Sequence, residues 1–248
     1  PFLVTPRPVI RVVIPLGIQT KHTTIFGTNQ MLLQLCRQFL LNQGILRLTG
    51  EVNQLARILE TLEQTGQREN TVVIFTSDHG EMLGDHGLLQ KGCRFYEGLV
   101  RIPLIFSWPG HFLEGLQRDA LVELLDLTAT IVELGGLEQP DYMQGRSLLP
   151  LLTRAEEIDE LRDSVRCEYF DALDPHFTGG SGTFATMYRE RRYKLSLYHG
   201  HGVGEIYDLQ EDPWEHRNLW DDPGSQELKA SLIAKSFDSH VLLTTDVG

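Results

Sequence analysis

The sequence predicts an α/β fold: a mixed sheet with flanking helices, followed by a small antiparallel sheet packed with a helix. Three observations carry that expectation. A helix-period stretch runs directly into a continuous apolar, β-branched segment, a second apolar segment of strand length follows it, and beyond about residue 165 the texture changes to short strand-length segments separated by turns.

Residues 1–45 have the weakest pattern. Phe2-Leu3-Val4 has the composition of a short strand, and Pro6, Pro8 and Pro15 are expected to interrupt any regular element after it. From Glu51 onward Val52, Leu55, Ile58, Leu59 and Leu62 recur at helical spacing between polar residues, with Gly66 as the stop. Thr71-Val72-Val73-Ile74-Phe75-Thr76 then reads as a strand buried on both faces, of the kind found in parallel sheets. Ile102 to Trp108 reads as a second strand, closed by Pro109-Gly110. Asp119 is the expected cap of a helix reaching Leu134, with Leu121, Leu124, Leu125, Leu127, Ile131 and Val132 on its apolar stripe and Gly135-Gly136 at its end. Phe184–Arg189, Tyr193–Tyr198 and Glu205–Leu209 form an expected antiparallel meander, and a last helix is expected from near Asp222-Pro223 to about His240. The resulting division is 1–45, 46–165 and 166–248.

Composition bounds the function. Twenty-two basic against 34 acidic residues give a net charge of −12, which argues against a nucleic-acid partner or a membrane surface. No run of 18 apolar residues is present to span a bilayer, and the amino terminus lacks the order of a signal peptide. The first methionine is Met31, so any targeting signal is expected upstream of Pro1, and the chain reads as soluble, from a bacterial-type cytoplasm or periplasm. Cys36, Cys93 and Cys167 stand singly, with neither zinc spacing nor a disulfide framework. No pattern in the chain specifies an oligomer.

The chemistry concentrates in Thr76-Ser77-Asp78-His79-Gly80-Glu81-Met82-Leu83-Gly84-Asp85-His86-Gly87-Leu88-Leu89-Gln90-Lys91-Gly92. In open α/β sheets ligands bind at the carboxyl ends of the strands, which is where Asp78 and His79 fall. A carboxylate and an imidazole side by side can supply two ligands to one cation; they are equally a turn cap and a hydrogen-bonded histidine. Lys91 ends the same loop, where an ammonium can meet an oxyanion beside the cation or simply be a solvated surface lysine.

These residues, with the following F-Y-E-G-L-V-R-I-P-L-I-F-S-W-P-G, resemble the second half of type I sulfatases, especially the choline-sulfatase, iduronate-sulfatase and bacterial arylsulfatase branch. The likeness continues through Val122 to Thr130, with Ala129 where the family's helix usually has proline. It resumes in Arg192-Tyr193-Lys194-Leu195, Glu205-Ile206-Tyr207-Asp208-Leu209, Asp212-Pro213-Trp214-Glu215 and Asn218-Leu219, similar to the family's terminal signature. The resemblance implies a sulfuric ester hydrolase in which Asp78 and His79 are metal ligands, usually to calcium, and Lys91 binds the sulfate. His86 is a further candidate for substrate contact. Phe95-Tyr96-Glu97 and Arg101 are expected to shape the crevice, and the terminal signature to be architectural. The implied partner is a small sulfated substrate.

The departures matter as much. Sulfatases of this kind use a formylglycine made within C/S-x-P-x-R, and no such motif follows Cys36, Cys93, Cys167 or any serine here. The family's amino-terminal aspartate pair and its D-P-H-like loop are also missing, with Thr5-Pro6-Arg7-Pro8 in the latter's place, so residues 5–45 are expected to be a divergent insertion or a shifted reading frame. The chain as given is therefore expected to be inactive. Two rivals follow: a phosphoester or phosphonate hydrolase of the same alkaline-phosphatase-like superfamily, for which zinc or manganese suits the imidazole better, and a non-catalytic remnant.

Overall fold

The computed structural model describes residues 9–13, 49–153, 160–170 and 182–245. Phe2-Leu3-Val4 and Cys36 lie outside them.

The first sheet has three strands in the order β1 (Val9–Val13), β2 (Thr71–Thr76) and β3 (Leu104–Ser107). β1 runs parallel to β2, with Val9 opposite Thr71, and β3 runs antiparallel to it, with Val73 opposite Ser107. β1 lies between Pro8 and Pro15, so the prolines bound a strand there rather than prevent one. β2 has the predicted limits, and all six of its residues are buried. β3 is shorter than the predicted 102–108 because Pro103, which has no N–H to donate, stays outside the ladder.

Helix α1 (Thr49–Gln64) precedes β2 and buries Leu55, Leu59 and Leu62, as its period requires. A short helix, α2 (Glu97–Val100), leads into β3. Helix α3 (Leu124–Leu134) starts five residues after the expected cap Asp119. The reason is local: Asp126 turns its carboxylate back to the Glu123 N–H (2.7 Å) and fixes the first turn there. Ala120 and Leu121 are instead buried in the approach to the helix, while Leu124 and Leu125 are exposed, so the apolar stripe is narrower than predicted. Helix α4 (Leu149–Thr153), absent from the sequence expectations, caps the core formed by Val72, Ile74, Phe106, Phe112, Leu127 and Leu148. The buried Asp126 also binds Arg162 in a two-pronged ion pair, tying α3 to the chain that enters the second sheet.

The second sheet is an antiparallel meander of β4 (Val165–Phe170), β5 (Phe184–Arg189), β6 (Tyr193–Tyr198) and β7 (Val203–Asp208). β5 and β6 match the expected limits; β7 sits earlier than predicted, and β4 adds a strand. On one face Tyr188, Leu195 and Ile206 pack against Leu232 of helix α5 (Gln226–Thr245), which runs five residues past the expected end. On the other face Ala185 and Met187 pack against Phe95. Alternation along β6 turns Lys194 to that same second face, where it is almost fully buried. No helix among the described residues is long and apolar enough to cross a membrane.

Candidate active site

Ser77 follows β2 directly and is buried; its hydroxyl donates to the His79 carbonyl (2.7 Å), which bends the chain sharply as it leaves the sheet. Asp78 Oδ1 accepts the His79 N–H at 2.9 Å. Gly80 then donates its N–H to the Leu99 carbonyl (2.8 Å), fastening the turn to α2. A Cβ at Gly80 would lie 1.9 Å from the Gly98 carbonyl oxygen, so this contact admits no side chain.

The His79 ring is oriented by its Nδ1, 2.7 Å from the Gly80 carbonyl, an acceptor that assigns the proton to Nδ1 and the lone pair to Nε2. That Nε2 faces Asp78 Oδ2 at 3.5 Å and accepts from Lys91 Nζ at 2.7 Å. The predicted trio thus converges at the carboxyl end of β2. All three line one cavity of about 420 Å³, with α2, β3, the start of α3, β4 and β5 forming its other walls.

His86 does not join them. Its backbone is left-handed (φ 53°) in the tight turn that follows Met82, its ring stacks on Tyr96 with centroids 4.0 Å apart, and it is absent from the cavity lining. Burial, and then the neighbouring His216, push its imidazole below the usual value, favouring the neutral ring.

The surroundings of Asp78 favour its charged form. Burial pushes the Asp78 carboxyl up, but the His79 N–H, the His79 ring and Lys91 outweigh it and bring the group below the ordinary carboxylate value. The donor set fits a divalent cation in part: one carboxylate oxygen and one imidazole lone pair lie 3.5 Å apart and face a common point. Among the described residues no group of three or more metal-binding side chains is assembled, so they offer two candidate ligands rather than a full shell.

Behind the trio lies a buried ionic cluster that the sequence did not reveal. Glu97 meets Arg189 at 3.1 Å, Lys194 at 3.2 Å and Arg101 at 3.7 Å, and Lys194 also pairs with Glu215. Glu215 Oε2 in turn accepts the Glu97 N–H at 2.6 Å. Burial opposes charge on Glu97, but Lys194, Arg189 and Arg101 prevail and hold its carboxyl at about 2. Among the described residues Glu215 pairs with one cation, Lys194, and burial pushes its carboxyl up. The only advance signals were Phe95-Tyr96-Glu97 and Arg101 as crevice residues and Lys194 and Glu215 within the terminal signature. Ser77, Gly80 and Arg94 are further cavity-shaping residues whose roles come from the geometry.

Comparison with known proteins agrees with this architecture. The C-terminal family of N-sulphoglucosamine sulphohydrolase matches residues 84–240. An uncharacterized sulfatase of Escherichia coli K12, YidJ, is 34% identical over 181 residues, covering 73% of this chain and 34% of that protein. A Delta 4,5-hexuronate-2-O-sulfatase of Bacteroides thetaiotaomicron is 31% identical over 202 residues, covering 78% of this chain and 41% of that one. The crystal structure of a phosphonate monoester hydrolase of Agrobacterium radiobacter superposes with a TM-score of 0.68 at 30% identity, covering 77% of this chain and 39% of the other. The chain spans 34% and 41% of the length of the two sulfatases. The matched family domain, the two sulfatase relatives and the shared α/β architecture agree: the chain belongs to the type I sulfatase family, of alkaline-phosphatase-like fold, and corresponds to that family's carboxyl-terminal part.

Proposed function

We propose that this chain supplies the cation- and anion-binding half of a sulfuric ester hydrolase. Asp78 and His79 hold a divalent cation, calcium by the family resemblance, and Lys91 holds an oxygen of the sulfate. The observation that supports this reading is the convergence of the three on one cavity, with His79 Nε2 2.7 Å from Lys91 Nζ and 3.5 Å from Asp78 Oδ2. When bound, the cation neutralises charge on the ester oxygens. The chain's own groups do the rest. Gly80 O keeps the Nε2 lone pair turned to the site, Ser77 fixes the bend, and Lys91 places a mobile positive charge where an oxyanion arrives.

The substrate class is a sulfated small molecule, and the hexuronate sulfatase relative favours a sulfated sugar. With no C/S-x-P-x-R sequence to provide the nucleophile, the chain binds without turning over, because such groups act as a unit. Calorimetric titration of the chain with sulfate, with and without calcium, tests the reading. Sulfate binding strengthened by calcium, and lost in Asp78→Asn and Lys91→Ala, supports it; binding indifferent to both substitutions refutes it. The likeness to the phosphonate monoester hydrolase favours a second reading, in which a phosphonate monoester takes the same place. Methylphosphonate binding tighter than sulfate, with manganese or zinc in place of calcium, would select it.

A further inference from the structure

Four arginines line the cavity: Arg94, Arg101, Arg166 and Arg189. Three already have a carboxylate partner. Arg101 and Arg189 pair with Glu97, at 3.7 and 3.1 Å, and Arg166 pairs with Glu168. Arg94 is half-buried, yet it makes no hydrogen bond or ion pair within the described residues. Glu205 feels its charge only through space and only weakly, after burial, the Tyr96 hydroxyl, Lys194 and the Tyr198 hydroxyl.

Its position is set by the turn that carries Lys91. Gly92 has φ +57°, and a Cβ there would lie 2.8 Å from Arg94 Nη1, so the guanidinium folds back over the bare Gly92 backbone. Two cations therefore sit on one turn of the cavity wall. Lys91 is directed to His79 Nε2, whereas Arg94 is directed back across Gly92. Apart from the weak through-space pull of Glu205, this half-buried guanidinium has no acceptor among the described residues, so an anion that enters the cavity can meet it. Its planar fork suits a carboxylate or a sulfate equally.

We propose that Arg94 is a specificity-determining residue that pairs with a second anionic group of the substrate, so that the site selects sulfate esters carrying a further carboxylate or sulfate. This rests on the reading of Lys91 as the holder of the reacting sulfate.

The test compares three probes by calorimetry on the 248-residue chain with calcium at low ionic strength: phenyl sulfate, 4-carboxyphenyl sulfate and 1,4-phenylene bis-sulfate. The expected result is that at least one dianion binds about tenfold tighter than phenyl sulfate, the worth of one charge-assisted pair. Whichever dianion shows the preference names the second group as carboxylate or sulfate. In Arg94→Gln that ratio falls to within about twofold, while Lys91→Ala weakens every probe. Thermal denaturation checks the fold of Arg94→Gln, which loses no internal ion pair. The proposal is overturned if the wild-type chain binds phenyl sulfate without preferring either dianion. It is equally overturned if Arg94→Gln keeps the preference, or if it weakens all three probes alike, because Arg94 would then share the reacting sulfate with Lys91. Failure of phenyl sulfate to bind at all refutes the underlying assignment of Lys91, and this proposal with it.

Discussion

Lys194 offers the most direct test of how the molecule is held together. Its side chain is 1% exposed on β6 and is shared by Glu97 and Glu215. The two carboxylates are not equally dependent on it. Glu97 retains Arg189 and Arg101, whereas Glu215, 2% exposed, has no other cation within ion-pair distance among the described residues. Lys194→Met preserves most of the side-chain volume and strands Glu215. Leaving one member of a buried pair uncompensated costs about 3–5 kcal/mol. We expect the lower end, about 3 kcal/mol, because Glu215 can take up a proton, toward which burial already pushes it. Urea denaturation followed by circular dichroism at pH 7.5 and pH 5.5 reads the effect. In the variant the folded-state carboxyl lies above its unfolded value, so the folded chain binds the extra proton and the deficit shrinks as the pH falls. The double variant Lys194→Met/Glu215→Gln should recover most of the loss. A deficit under about 1 kcal/mol, or one equal at the two pH values, would show that Lys194 does not neutralise Glu215.

The remaining predictions concern the site and its supports. Glu97 is depressed to about 2 in the folded chain, so its stabilisation is present above about pH 4.5 and is lost as pH falls toward 2; Glu97→Gln should flatten that acid limb of the stability curve, and an unchanged limb would exclude the group. Gly80→Ala forces a Cβ against the Gly98 carbonyl and should destabilise the chain by about 2–4 kcal/mol while weakening sulfate binding, a loss absent if the contact yields freely. Arg162→Ala leaves the fully buried Asp126 carboxylate without its cation and should cost about 3–5 kcal/mol in urea denaturation; a cost under about 1 would show that the pair contributes little. Calcium at about a hundred times its dissociation constant should raise stability by about 2.7 kcal/mol, and Asp78→Asn should abolish the gain, as differential scanning calorimetry can report.

Local pattern made some elements legible and long-range contact hid others. β2, β5 and β6 were read to the residue because burial on both faces, or strict strand length between turns, leaves one reading. β1 was missed because prolines on both sides suggested interruption, whereas a proline just outside a strand costs the ladder nothing. The start of α3 was misplaced because Asp119 is the better cap by residue type, while the side chain that fixes the turn belongs to Asp126, already inside the helix. The convergence of Asp78, His79 and Lys91 was legible because a strand end and one loop bring them together within a short stretch of sequence. The cluster of Glu97, Lys194 and Glu215 was not, since its partners lie about a hundred residues apart and a lysine beside Tyr193 in a strand gives no sign of being buried.

The bond from Gly80 to Leu99 gives that distant cluster a mechanical meaning. Glu97 opens the helix on which Leu99 sits, and the tail grips Glu97 through Lys194 and Glu215; the turn bearing Asp78 and His79 is moored to that helix in turn. The antiparallel tail is thus a brace. Loosening its inner end should let Asp78, His79 and Lys91 drift apart before any residue of the cavity itself is altered.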